Sequence, residues 1–230
     1  MDKAIKKIAA IVTALAVTLV PVCACAAANS ADYRQQLLIN LGILAEADYA
    51  ENSAMTRIGF TELVLDMLGA DKRYVPDNAE KLFYDVEPEG REYAIIYSAH
   101  SLGIIKGGSD GFFRPSEPVT ETEACVMLIR ALCGEKLLER YQNPMHLALR
   151  LKLTDGVVPD AEGKLSCSEA AKMIYNALTA PCIEQKADGA IEIDSESSLL
   201  GSVYGIEKTG GIVEADYRGS LYGGAKKKYG

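Results

Sequence analysis

The chain has no tryptophan and only two histidines, His100 and His146, among its 230 residues. Neither histidine has a carboxylate or cysteine at metal-ligand spacing, and no Cys-x-x-C pair lies beyond residue 28, so a zinc centre has little support. No nucleophile elbow or phosphate loop is read from the chain. The turn Gly107-Gly108-Ser109-Asp110-Gly111 lacks the Lys-Ser/Thr that follows phosphate-cradling glycines, and Asp110-Gly111 lacks the spaced carboxylates of a calcium loop. Enzyme chemistry, metals and cofactors are thus left without a motif, and both histidines read as ordinary helical residues. Positive charge is also scarce. The formal net charge is −8, and without residues 1–28 it becomes −10, with 21 basic against 31 acidic residues. With no basic stripe, such a chain is a poor nucleic-acid binder, and any anionic ligand must be held by a few local donors.

What the chain does have is one amphipathic pattern used three times. In Thr120 to Gly134, Thr120 and Glu123 form a capping box, and Ala124, Met127, Leu128, Ala131 and Leu132 fall on one face at helical spacing. Gly134 is a natural stop. The same offsets from Thr56 give Phe60, Leu63, Val64, Met67 and Leu68. From Ser166 they give Ala170, Met173, Ile174, Ala177 and Leu178, with Glu169 completing a second capping box. A template recurring in this way predicts a repeat protein in place of an enzyme core.

The flanking residues fill in three helix-loop-helix units. Asn29 or Ser30 caps a first helix running to about Leu41, with Gly42 at its end, and a polar loop leads to the Thr56 helix. Asp71 to Asn78 is a linker. A second unit carries Phe83-Tyr84-Asp85-Val86, a helix with Tyr93, Ile96 and Tyr97 on its face, and the glycine turn at 107–111. In that unit Asp85 either caps the next turn or binds a ligand. The third unit starts at Asn143-Pro144, passes through the loop Thr154 to Lys164 and ends in the Ser166 helix. Ala187 to Ser198 is polar and linker-like. Val203 to Lys208 and Ile212 to Tyr217 look like two short strands around Thr209-Gly210-Gly211. Lys226 to Lys228 is a solvated tail.

Residues 1–28 have the basic start, short apolar core and small-residue exit of a secretory signal, and the core is too short for a comfortable membrane span. An alternative exit is a lipobox-like Val22-Cys23-Ala24-Cys25, which would acylate Cys25. Four cysteines lie beyond it. Cys125 and Cys133 sit eight residues apart on one helix, about 12 Å along its axis, too far for a disulfide. Cys167 and Cys182 can pair, but spacing does not require it. All four are read as buried free thiols acting as small hydrophobes.

Phe83-Tyr84-Asp85-Val86, Leu102-Gly103-Ile104-Ile105, Gly107 through Gly111, Phe113-Arg114-Pro115, Glu117-Pro118-Val119-Thr120 and Glu123 together resemble the S-layer homology domain in order and spacing. On this resemblance residues 78–142 are the best-matched repeat, with degenerate copies at 29–77 and 143–184. A linker and an incomplete β segment, similar to one that follows such repeats in some clostridial surface proteins, fill 185–230. The resemblance implies a mainly α fold of three repeats in a pseudo-threefold arrangement, followed by a short β-prone segment. It implies non-covalent anchoring to the cell wall through an anionic secondary cell-wall polysaccharide, with no enzyme activity. The glycan-binding residues carried over are Arg57, Asp85 and Gly107. Arg57 matches the family arginine; the equivalent places hold Glu121 and Cys167. Glu121 would repel an anionic sugar. Arg91 stands where the family has tryptophan. These departures support a second reading, a surface scaffold or protein-interaction module whose glycan grooves have decayed.

Overall fold

The computed structural model describes residues 33–45, 53–72, 75–76, 79–140, 143–185 and 191–206. The expected secretory signal, Cys25, the cap at Asn29 or Ser30, most of the loop before the Thr56 helix, the second expected strand at 212–217 and the lysine tail lie outside them. The described residues are mainly helical. In chain order they form α1 (Tyr33–Asn40), α2 (Arg57–Met67), α3 (Gly90–Ser101), α4 (Glu121–Cys133), α5 (Glu135–Arg140), α6 (Pro144–Arg150), α7 (Cys167–Thr179), β1 (Pro181–Gln185), β2 (Ile191–Ser198) and α8 (Leu199–Ser202).

Each of the three capped helices starts where its cap requires. Thr56 accepts from the Gly59 N–H, Thr120 from Glu123 and Ser166 from Glu169. At Thr120 the box is reciprocal, because Glu123 Oε2 accepts from the Thr120 N–H at 3.0 Å. At Ser166 it is not. Glu169 turns away to accept from the Val158 N–H at 2.7 Å and from Lys172 at 2.7 Å, so the expected second capping box is only half formed. The chain leaves α4 through Gly134, whose φ of 75° is the left-handed conformation glycine adopts without cost.

The greasy faces meet as the spacing predicts. Phe60, Val64 and Met67 of α2, Ala124 and Leu128 of α4, and Ala170, Met173, Ile174, Ala177 and Leu178 of α7 are all fully buried. The three helices contact one another in the centre, and each carries a second helix on its flank: α3 on α2, α6 on α4, and α1 on α7. The flanking partner of α2 and of α4 therefore comes after it in the chain, α3 directly and α6 beyond the short α5, and the first helix of the chain closes the circuit on the last capped one.

Backbone hydrogen bonds tie the cap segments into a closed ring. Met55 donates to Leu165, Leu165 to Val119, and Val119 back to Met55, at 2.9, 3.0 and 2.8 Å. One residue into each helix a second ring runs the other way: Arg57 donates to Glu117, Glu121 to Gly163, and Cys167 to Ser53. The second ring uses N–H groups that a helix start leaves without intrahelical partners. Met55, Val119 and Leu165, the residues just before the caps, are buried where the ring closes.

The C-terminal part corrects two expectations. Ala187 to Ser198, read as a linker, contains β2, which pairs antiparallel with β1. Its sequence, IEIDSESS, alternates apolar and polar residues at the start, a strand signal that acidic and serine content obscured. Val203 and Tyr204, read as a strand start, follow directly on α8. Leu200 is buried, and the Tyr204 hydroxyl donates to the carbonyls of Asp66 and Met67 at 2.9 and 3.2 Å. The Asp66 carbonyl already accepts from the Gly69 N–H at 3.0 Å, so the hydroxyl adds to the closing of the α2 end, and this segment folds back on the bundle.

Candidate functional site

The turn at 107–111 and the chain before α4 are built around one aromatic pair. Phe83 and Phe113 are buried with ring centroids 5.5 Å apart, and His100 meets the Phe83 ring edge-on at 6.1 Å. Gly107 lies directly over Phe83. Its φ is +74°, and a Cβ there would fall 2.1 Å from Phe83 Cε1, so only glycine fits. Arg114 also has positive φ, 59°, uncommon for a residue with a side chain.

Asp85 holds that strained position. Its Oδ1 accepts from the Phe113 N–H at 2.8 Å and its Oδ2 from the Arg114 N–H at 2.6 Å. Desolvation pushes this carboxyl up, but backbone N–H donors, Phe113 and Arg114 first, outweigh it and hold it below the usual range. Asp85 is therefore not a helix cap. Glu89 occupies the cap position of α3 and makes no side-chain cap bond. Arg57, the first residue of α2, approaches from the opposite side. Its Nε donates to the Phe113 carbonyl at 2.8 Å, its guanidinium lies 5.2 Å from the Phe113 ring centre, and Nη1 meets Glu123 at 2.5 Å.

The three residues singled out in the sequence thus converge on Phe113. Asp85 grips its N–H, Arg57 its carbonyl and ring face, and Gly107 makes room for the ring it stacks on. Only 15% of the Arg57 side chain is exposed. Arg57 and Gly107 line a groove of about 680 Å³ between α2, the 105–118 segment and α4. Asp85 does not line it and acts through the wall it ties down.

Four further cations reach this groove: Lys106, Arg114, Arg130 and Lys164. Each has a carboxylate partner. Lys106 and Arg130 share Glu135 at 2.9 and 2.7 Å, Arg114 meets Asp110, and Lys164 meets Glu162 at 2.5 Å. Asp110 is held below its usual range, first by the hydrogen bond from Arg114. Such pairs leave guanidinium and ammonium N–H groups free to reach an anion in the groove. Sequence reading passed over these residues. Arg130 was detectable, seven residues after Glu123 on the polar side of the same helix. Lys164 was not, because it arrives from far along the chain through the bridge between Thr120 and Lys164.

The places equivalent to Arg57 differ. The Cys167 thiol is buried, 3.1 Å from the Ser53 hydroxyl. It borders a second groove of about 470 Å³ that includes Thr56, Glu62, Asp66, Lys72 and Arg91. There Glu62 takes both Lys72 and Arg91 at 2.7 Å, and Lys72 also meets Asp66 at 2.5 Å. Arg91, in the expected tryptophan position, is spent on Glu62.

Gly107 to Gly111 does spell Gly-x-Ser-x-Gly, which corrects the expectation that the chain carries no such motif. No strand enters the turn and no helix leaves it before α4, so the strained strand-to-helix geometry that exposes a nucleophile is missing. Among the described residues no group of three His, Cys, Asp or Glu side chains could hold a metal ion, and no helix is long and apolar enough to cross a membrane.

Residues 82–125 match the family model described as the S-layer homology domain. That span runs from the Phe83 wall through the glycine turn into α4, so it covers most of the groove. The match supports the S-layer homology family for this part of the chain; domains of that family are non-catalytic cell-surface modules that bind cell-wall glycans. No curated protein matches the chain.

Proposed function

We propose that the protein anchors to the cell wall after secretion by binding an anionic secondary cell-wall polysaccharide in the groove beside Phe113. In this reading residues 29–77, 78–142 and 143–184 are three S-layer homology-like repeats about a pseudo-threefold axis. The two rings of cap-segment hydrogen bonds support that arrangement. Arg57, Gly107 and, through the wall, Asp85 serve the glycan site, with Arg114, Arg130 and Lys164 as additional anion contacts. The observation that carries the reading is the gathering of five cations around one groove in a chain of net charge −8.

The test is retention on purified sacculi with and without their polysaccharide, over a range of salt. Retention only on intact sacculi, falling as salt rises, is expected. Equal retention on both preparations would overturn the reading.

One observation favours the second reading, a surface scaffold. Arg57 is already engaged by Phe113 and Glu123, so it does structural work without any ligand. Lys164→Ala separates the two readings, because it removes a groove cation whose only side-chain partner shown is the exposed Glu162. Weaker retention with unchanged thermal stability supports a glycan groove; unchanged retention supports the scaffold.

A further inference from the structure

Two large aromatic side chains stand side by side in solvent at the glycine turn. Tyr84 is 72% exposed and Phe112 is 40% exposed, and their ring centroids are 5.7 Å apart. Both rings are held in place. The Tyr84 N–H donates to the Gly111 carbonyl at 3.0 Å, and its ring lies over Gly111, where a Cβ would fall 2.6 Å from Tyr84 Cε2. The Phe112 N–H donates to Asp110 Oδ1 at 3.1 Å, and the Arg114 guanidinium lies 5.7 Å from the Phe112 ring centre. Single exposed apolar residues are ordinary, but two rings in contact, rimmed by charged groups, form a surface that gains from being covered.

We propose that Tyr84 and Phe112 form a stacking platform for one pyranose ring of the wall polysaccharide, next to the sugar whose charge is held in the groove. The inference rests on the glycan reading of that groove and adds a neutral subsite to it. Phe112 lines the groove together with Arg57 and Arg114, and Tyr84 continues the aromatic surface beside it. Both rings lie within the span 82–125 that matches the S-layer homology model. A pyranose has C–H groups on a flat face and hydroxyls around its edge. The C–H face covers the rings by apolar contact, and the edge hydroxyls meet the charged rim at Asp110 and Arg114. A wholly apolar partner is disfavoured, because covering the rings would also strip water from that rim without replacing its hydrogen bonds. Apolar stacking is not screened by salt, whereas the cation contacts in the groove are.

The test is retention of the full chain on intact sacculi, together with titration by polysaccharide released from them. Tyr84→Ala and Phe112→Ala should each weaken retention about three- to tenfold, by the same factor at low and high salt, with the melting temperature unchanged. Lys164→Ala should weaken it at low salt only. Because the chain has no tryptophan, Tyr84→Trp and Phe112→Trp each place a single reporter in the platform, which decides the matter if an alanine variant melts lower. Its emission should shift as polysaccharide saturates the protein, while Val158→Trp, at a 73% exposed position that lines neither groove, should not respond. Full retention by both alanine variants beside a weakened Lys164→Ala would overturn the platform and leave the groove reading standing. Full retention by all three would overturn both. Emission unchanged at saturation would also overturn the platform. So would an equal loss of retention by the alanine variants on sacculi stripped of polysaccharide, which would assign the rings to another wall component.

Discussion

The two grooves at the cap ring share a backbone frame and differ in chemistry. In one, Arg57 follows its cap and its N–H reaches Glu117; in the other, Cys167 follows its cap and its N–H reaches Ser53. Where the first groove has Glu123 and Arg130 along α4, the same offsets in α2 give Gly59 and Asp66. The first therefore gathers cations, while the second sets Glu62 and Asp66 against Lys72 and Arg91. The ring bonds are backbone bonds and tolerate almost any side chain. The same scaffold can hold a site in one sector and lose it in another without losing the fold.

The largest effect that can break this comparison is expected at Gly107. Gly107→Ala puts a methyl group 2.1 Å from a buried ring at positive φ, so Phe83 or the loop must move. The expected cost is about 2–4 kcal/mol, seen as a lowered melting temperature together with loss of sacculus retention. An equally stable Gly107→Ala protein would mean that the ring does not fix the groove wall. Arg57→Ala comes next. It removes the hydrogen bond to Phe113, the stacking on its ring and the pair with Glu123, so stability should fall by about 1–3 kcal/mol. Retention should fall at least about tenfold if the first groove is the glycan site. Arg57→Lys, which keeps the charge but not the planar fork, should recover little of either.

The three capped helices were legible because cap and period agree in each, and most of the expected face residues are buried, with Leu68, Ala131 and Leu132 only partly so. Which helices pack together was not legible. Neighbours in sequence suggest helix-loop-helix pairs, yet α2 and α4 pack on a helix that comes after them and α7 packs on α1, and no local pattern encodes that choice. At the site, Arg57, Asp85 and Gly107 could be named from order and spacing. Their convergence on Phe113 could not, since it depends on Arg57 reaching across to a residue 56 positions later. The strand β2 was missed because it mixes three acidic and three serine residues into an alternating start, and composition suggested a linker.

Asp85→Asn should have a smaller effect, which pH can isolate. The Asp85 carboxyl is held below its unfolded value, so its stabilising contribution is fully present above about pH 4 and is lost as pH falls through the lower folded value. The position is exposed, and solvent screens the interaction, so the cost at pH 7 should be about 1 kcal/mol. The wild-type melting temperature should drop more steeply below pH 4 than that of Asp85→Asn, and parallel curves would show that the two backbone donors are not what depresses this carboxyl.

The smallest effect is the one that tests the second groove directly. Glu62 holds Lys72 and Arg91 together, and its side chain is 19% exposed. Glu62→Gln removes one negative charge there while keeping an acceptor for both cations. If carboxylates are what bar an anionic glycan from this sector, the variant should bind more strongly to intact sacculi, by about two- to threefold, with the gain confined to low salt. The gain should persist when Arg57→Ala is added, because the two substitutions act on separate grooves and their effects should add. A gain that vanishes in the double variant would place it in the first groove, and the two sectors would then have to be treated as one coupled surface.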